Sequence, residues 1–236
     1  MIKEAIILAG GFGTRLRSVV SDVPKCMALI DGKPFLHYLI EFFQKNGIVH
    51  FIFSVGYLHE VIENYLFQNY ANLNATFSLE KEPLGTGGAI QMAVGKTSDK
   101  NVLVCNGDTL YKIDLNLLYQ FHKQKNATCS LNLKPLNNFD RYGVVELNQD
   151  DSIKYFKEKQ FYETGLINGG VYALNIPGFL EEDLPEKFSF EKDYLEKRVQ
   201  RMEKKPGIFG IVQNHYFIDI GIPEDYEKAQ KELPFL

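Results

Sequence analysis

Residues 2–17 are IKEAIILAGGFGTRLR. The apolar run from Ile2 to Ala9 is short, rich in Ile and Leu, and halted by Gly10-Gly11. That pattern predicts a buried strand ending in a glycine turn. Such a turn lets backbone N–H groups approach an anion closely. It is not a dinucleotide fingerprint, because Gly11 and Gly13 are followed by Leu16 where the third glycine belongs. It is not a Walker A loop either: the one Gly-Lys-Thr, Gly95 to Thr97, has Ile90 in place of the first glycine. What remains is a glycine turn followed by Arg15 and Lys25. Two cations beside a phosphate-sized cradle point to a polyphosphate ligand. A tight turn followed by solvated cations is the other reading of the same residues.

Outward from this turn, strand and helix patterns alternate. Pro34 to Asn46 predicts a helix with Pro at its first position and Asn46-Gly47 as its stop. Val49 to Val55 predicts a strand. Leu58, Val61, Ile62, Tyr65 and Leu66 follow the stripe of an amphipathic helix. Ala75 to Leu79 is a predicted strand, Thr86 to Val94 a helix, Asn101 to Asn106 a strand, and Asp114 to Lys123 a helix capped by Asp114. The second half is richer in strands: Thr128 to Leu133, Tyr142 to Leu147, Ile153 to Phe156 and Leu166 to Leu174. Helices follow near Phe190 to Val199 and Pro223 to Leu233. This alternation predicts an α/β chain: one Rossmann-like domain over 1–236, with a mostly parallel, mixed sheet flanked by helices. Residues from 1 to about 125 form its expected nucleotide-binding half, and about 126–236 its substrate-facing half.

Composition narrows the function classes. The chain has 236 residues, 45% hydrophobic and 24% charged, which is ordinary for a globular domain. No apolar run approaches the roughly 18–20 residues of a membrane span. The first residues carry an early Glu and too short an apolar run for a leader, so no membrane partner is expected. The net charge is −4 with no basic tract, which argues against nucleic acid. Cys26, Cys105 and Cys129 are scattered and odd in number, so reduced thiols and a cytoplasmic home are expected. Five histidines without an HxxxH pair make zinc an unexpected ligand.

Several motifs, in order, carry a family resemblance. LAGGFGTRLR (8–17) and PKCMALIDGKP (24–34) are followed by EKEPLGTGGAI (80–90), NGDT (106–109), YGVVE (142–146), FKEK (156–159), INGGVYAL (167–174) and FIDIGIPEDY (217–226). The set resembles the sugar-1-phosphate nucleotidyltransferases, also called nucleotide-diphosphate-sugar pyrophosphorylases, over nearly the whole chain. EPLGTGG is similar to the guanylyltransferase branch. The order and spacing resemble most the short bacterial enzymes that make GDP-D-glycero-α-D-manno-heptose. The left-handed β-helix of longer relatives is not expected, because the chain stops soon after the last motif.

The resemblance implies a reaction between GTP and D-glycero-α-D-manno-heptose 1-phosphate, giving GDP-heptose and pyrophosphate for a bacterial capsule or other surface polysaccharide. Mannose, glucose or N-acetylmuramate 1-phosphate with GTP, UTP or CTP remain alternatives, as does a non-catalytic nucleotide-sugar sensor. An NAD-dependent oxidoreductase is disfavoured by the missing third glycine. A monomer or homodimer is expected. No protein nucleophile is needed, but an anion must approach a polyanion. Two unit charges about 4 Å apart repel by on the order of 4 kcal/mol at an effective dielectric of 20, so fixed cations are required.

The residue roles follow from the same resemblance. Asp108, at the end of a predicted strand, and Asp219, 111 residues further on, would be the Mg²⁺ ligands. Taken alone, NGDT is equally a turn and Asp219 a strand-end cap. Arg15 would neutralise the leaving pyrophosphate, and Lys25, read as an exposed loop side chain, would hold the sugar phosphate or α-phosphate. Leu8, Ala9, Gly10, Gly11, Gly13, Thr14, Asn106 and Gly107 would line the nucleotide, with Gly85, Thr86 and Glu80 or Glu82 near the base. For the sugar, Gly143 would allow close approach, Glu158 and Asn168 would meet hydroxyls, and Lys159 would pair with phosphate. Relatives commonly have Pro after that Lys, where this chain has Gln160. Asp193 is read as a solvated helix residue, and His37 and Tyr38 as packing.

Overall fold

The predicted first strand forms as β1 (Glu4–Leu8), with Ala5, Ile6 and Ile7 fully buried. The structure, a computed structural model, describes residues 1–11, 23–201 and 207–235. A 3-10 turn, Lys25–Met27, and a short hairpin, β2 (Leu29–Ile30) and β3 (Lys33–Pro34), lead into α1 (Phe35–Lys45). Pro34 is the cap of that helix rather than its first residue: its ψ of 144 is extended, and Phe35 is the first helical position. Strands and helices then alternate as the patterns predict: β4 (His50–Val55), α2 (His59–Asn69), β5 (Ala75–Leu79), α3 (Gly85–Val94) and β6 (Asn101–Asn106). A three-residue strand, β7 (Thr109–Tyr111), precedes α4 (Leu115–Gln124), where the Asp114 carboxylate accepts the Leu117 N–H at 3.0 Å.

The second half comprises β8 (Cys129–Phe139), β9 (Val145–Leu147), β10 (Ile153–Phe156), β11 (Tyr162–Asn175) and α5 (Ile176–Leu180). A π-helix at Phe190–Glu196 continues into α6 (Lys197–Gln200), and β12 (Ile208–Val212), β13 (Phe217–Asp219) and α7 (Pro223–Glu232) complete it. β8 and β11 extend well past their predicted ends. They pair antiparallel from Leu174↔Cys129 to Tyr162↔Phe139, and the ladder takes in polar residues such as Asn137 and Thr164, which face each other in the register. The stretch from Tyr142 shortens to β9, because residues 142–144 lie outside any strand.

Seven strands form one sheet in the order β12-β8-β11-β6-β1-β4-β5. β11 runs antiparallel to both its neighbours, and every other pair is parallel. Both faces are covered. Ala5 and Ile7 point into a core with Leu36, Leu39 and Phe43 of α1 and Leu118 of α4. Ile6 points the other way, into a core with Ile90 and Ala93 of α3 and Phe190 and Tyr194 of the π-helix. Each fully buried Leu, Ile or Phe contributes about 1.5–3 kcal/mol, so the sheet is a rigid platform for its edge loops. Among the described residues no helix is long and apolar enough to cross a membrane.

Candidate active site

Because β5, β4, β1 and β6 are parallel, their carboxyl ends open along one side of the sheet. A cavity of about 400 Å³ lies there, lined by Leu8 to Gly11, Ser54, Glu80, Gly85, Thr86, Asn106 to Asp108, Lys25 and Glu191, among others. The turn after β1 is tied on both flanks: Ala9 N–H donates to the Ser54 carbonyl at 2.8 Å, and Gly107 N–H to the Leu8 carbonyl at 2.9 Å. A Cβ on residue 107 would stand 2.7 Å from that Leu8 oxygen, so only glycine lets the ends of β1 and β6 close up. At the far end, Glu80 follows β5. Its Oε1 accepts the Ser54 hydroxyl at 3.2 Å and its Oε2 the Leu84 N–H at 3.0 Å.

Two carboxylates from distant parts of the chain meet at the other end. β7 and β13 form a short antiparallel ribbon in which Asp219 pairs with Thr109, and Ile220 N–H donates to the Asp108 carbonyl at 3.0 Å. That register brings Asp108 and Asp219 together. Lys25 Nζ donates to Asp108 Oδ2 and lies 3.7 Å from Asp219 Oδ1. Asp219 also accepts the Gly221 N–H at 2.8 Å and faces the Tyr142 hydroxyl at 3.5 Å. Burial, then the negative charge of Asp108, holds the Asp219 carboxyl above the usual carboxylate range, although Lys25 and the Gly221 N–H pull it down. Lys25 is therefore not an exposed loop lysine: its side chain is 12% exposed and clamped between acids. Cys26 beside it is buried, and burial followed by the Asp108 charge pushes its thiol up to about 12, so it is a poor nucleophile.

The other predicted residues divide. Gly13, Thr14 and Arg15 lie outside the described residues. Glu158 and Lys159 are exposed on the loop after β10 and do not line the cavity. Gly143 packs on this same loop, where a Cβ would be 2.4 Å from the Lys157 carbonyl oxygen. Its neighbour Tyr142 faces Asp219, so YGVVE and FKEK approach the carboxylate pair from one side. Asn168 lies behind the cavity wall, donating to the Tyr172 hydroxyl at 2.9 Å and accepting the Gly170 N–H at 3.1 Å. Glu82 is exposed and lines an adjoining depression with Tyr57 and His59. Asp193 accepts the Ser189 N–H at 2.9 Å and the Lys197 ammonium at 2.8 Å, which makes it part of the π-helix cap. His37 and Tyr38 bond to the Tyr70 hydroxyl and the Ile30 carbonyl, away from the cavity. Sequence reasoning missed Ser54, which steadies Glu80, and Glu191, which looks like any charged helix residue in SFEKDY.

The cavity thus has a glycine turn at one flank and, at the other, paired acids with their own cation. The chain belongs to the nucleotidyl transferase family, whose model matches residues 4–234. It is 52% identical over 230 residues to the D-glycero-alpha-D-manno-heptose 1-phosphate guanylyltransferase of Aneurinibacillus thermoaerophilus, covering 98% of each chain. It is 44% identical to the enzyme of that name from Campylobacter jejuni, over 94% of this chain and 96% of the other. The crystal structure of HddC from Yersinia pseudotuberculosis complexed with GMP-PN superposes with a TM-score of 0.86 at 36% identity, over 98% of this chain and 100% of that one.

Proposed function

We propose that this chain transfers a guanylyl group from GTP to D-glycero-α-D-manno-heptose 1-phosphate, releasing pyrophosphate and GDP-heptose. The observation that carries the reading is Lys25 held between Asp108 and Asp219 at the end of a glycine-lined cavity. The full-length likeness to two guanylyltransferases and to a structure complexed with GMP-PN supports the base and the sugar. In this reading the sheet order lays out the substrates. The base lies toward Glu80 after β5. The phosphates lie over the turn after β1 and toward Lys25. The sugar phosphate enters beyond β6, on the β11 side.

The acceptor is an oxygen of the sugar phosphate. It forms a bond to the α-phosphorus as the α–β phosphoanhydride bond opposite breaks, and pyrophosphate leaves with that electron pair. Lys25 offsets the charge of the two approaching phosphates. Asp108 and Asp219 are the residues that would hold Mg²⁺. Two hard carboxylates against one ammonium leave a net negative charge at that point, and a divalent cation suits that donor set. Mg²⁺ bound there would supply further neutralisation of phosphate oxygens. Reduced, buried cysteines agree with work in the cytoplasm, and the product suits surface-polysaccharide synthesis.

Pyrophosphate release with Mg²⁺ tests the reading, with GTP, UTP, CTP and ATP each crossed against heptose, mannose, glucose and N-acetylmuramate 1-phosphates. GTP with the heptose should give the highest kcat/KM. A different best pair would replace the substrate assignment, and nucleotide binding without turnover in any pair would make the chain a binder rather than an enzyme.

A further inference from the structure

Glu191 projects from the π-helix into the cavity, where its carboxylate is gripped by donors of the chain itself. Its Oε2 accepts the Thr86 hydroxyl at 2.9 Å and the Ser189 hydroxyl at 3.3 Å. Among the described residues its Oε1 accepts only the Tyr172 hydroxyl, at 3.4 Å. Each of these donors is itself oriented. Thr86 Oγ1 accepts the Phe190 N–H at 2.9 Å, so its single proton must point to Glu191. The Tyr172 hydroxyl accepts the Asn168 amide at 2.9 Å, and Asn168 in turn accepts the Gly170 N–H at 3.1 Å. The hydroxyls of Thr86 and Tyr172 are thus committed and serve to aim a carboxylate.

A carboxylate offers about four acceptor positions. Three are filled among the described residues, one by a long bond, and Glu191 makes no ion pair among them. An oriented carboxylate with spare acceptor capacity in a substrate cavity repels phosphate and takes a hydroxyl. Such hydroxyls come from two sources, the ribose of the nucleotide and the ring of the sugar phosphate. The sheet order separates them. The ribose lies between Glu80 and the phosphates, over β4 and β1. Glu191 is tied to Tyr172 on β11, beyond β6, and Gly170 on that strand packs against Asn106 at the cavity wall. A π-helix at this point also fits a functional placement, since such irregular turns recur at sites.

We propose that Glu191 is a specificity-determining acceptor for a ring hydroxyl of the sugar 1-phosphate, with Thr86 and Tyr172 as positioning residues. This rests on the substrate layout given under Proposed function. Glu191→Gln keeps the shape and removes the charge. It should raise KM for the sugar phosphate at least about tenfold, as expected for a bond to a charged group, while KM for GTP changes less than about twofold. Thr86→Val should move the same constant in the same direction, and Thr86→Ser, which restores the hydroxyl, should recover it. Deoxy analogues of the sugar phosphate identify the contact: one of them should lose affinity for the wild-type chain but not for Glu191→Gln.

Two results overturn the proposal. One is a rise in KM for GTP that 2′-deoxy-GTP or 3′-deoxy-GTP reproduces on the wild-type chain, which assigns Glu191 to the ribose. The other is unchanged kinetic constants with a lowered melting temperature, which makes it a structural clasp. The wild-type substrate panel is run first. If another sugar is preferred, the substrate reading fails and Glu191 is tested on that sugar. If no pair turns over, calorimetric titration of the sugar phosphates against both chains gives the same comparison.

Discussion

Lys25 sits where two acids need a cation, and its removal has two separable consequences. The side chains of Asp108 and Asp219 are 31% and 26% exposed, so solvent screens part of their repulsion. Stripping the partner from a wholly buried pair costs about 3–5 kcal/mol; here about 1–2 kcal/mol is expected. Lys25→Ala should therefore lower the melting temperature by a few degrees in chelator. Added Mg²⁺ should restore much of that loss, because a divalent cation replaces the missing charge. Turnover should fall by at least about a hundredfold and stay low, since the metal cannot also supply the ammonium beside the phosphates. Activity that tracks the folded fraction would contradict this role. Asp108→Ala and Asp219→Ala leave Lys25 with one partner each, so both should fold. Each should lose metal-dependent turnover in pyrophosphate release, and near-normal activity in either rules out the two-carboxylate site. The motifs named all three residues, and the resemblance set the two acids together as metal ligands, but the clamp of Lys25 between them was not legible. It depends on the pairing of Asp219 with Thr109 in a ribbon of three-residue strands, too short to show any periodicity.

At the scale of elements, the joint between α3 and the segment before the π-helix holds the two sides of the cavity together. Gly85 opens α3 with φ +74, and a Cβ there would stand 2.5 Å from the Phe188 carbonyl oxygen. Phe188 and Leu84 bond through their backbones at 3.0 Å, as do Gly87 N–H and the Phe188 carbonyl. Gly85→Ala combines left-handed strain with a backbone clash, so it should cost about 2–4 kcal/mol in urea unfolding. Because Glu80 bonds Leu84 on one side and Thr86 bonds Glu191 on the other, KM should rise for both substrates. An effect on stability alone would show that the joint does not set the cavity. The glycines were legible as a turn, and β5 and β6 matched their apolar runs residue for residue. The joint was not. The buried residues of the π-helix, Phe190, Tyr194 and Leu195, are spaced four and five apart, too short a run to tell it from an α-helix, and nothing in SFEKDY distinguishes a cap residue such as Asp193 from a cavity residue such as Glu191.

For the whole molecule, alternation of apolar strands with amphipathic helices was enough to read a covered, mostly parallel sheet, because burial on both faces is written into composition. A mixed sheet was expected, but that β11, third in the order, is its antiparallel strand was not legible, since direction depends on which neighbours a strand finds. The helix α4 that covers this sheet carries one buried histidine, and its titration tests the integrity of the fold apart from the site. His122 of α4 is 3% exposed, with Nδ1 at 2.8 Å from the Ser130 hydroxyl and Nε2 at 3.3 Å from Asn101 Oδ1. Burial lowers its pKa to about 4. The folded state thus keeps the ring neutral, while the unfolded chain takes up a proton near pH 6.5. Stability is full above pH 6.5, falls as the pH drops toward 4, and levels off for this group once the folded state also binds the proton. The span corresponds to roughly 3 kcal/mol. Glu4 loses stability in a lower window: burial raises its pKa, but bonds from His50, Asp99 and Ser98 outweigh this and hold the carboxyl below its ordinary value, so its loss begins only as the unfolded carboxylate protonates. Asp219, held above the carboxylate range, contributes with the opposite sign in both proteins, so the difference between wild type and a His122 variant isolates this histidine. His37, also lowered chiefly by burial, adds a smaller share. Urea unfolding of the wild-type chain and His122→Gln across this range should show the variant less stable at pH 7 and the two curves converging toward pH 5. Parallel curves would mean that the ring is already charged or solvated in the folded protein. Turnover per folded molecule should be the same in both, because His122 lies outside the cavity lining.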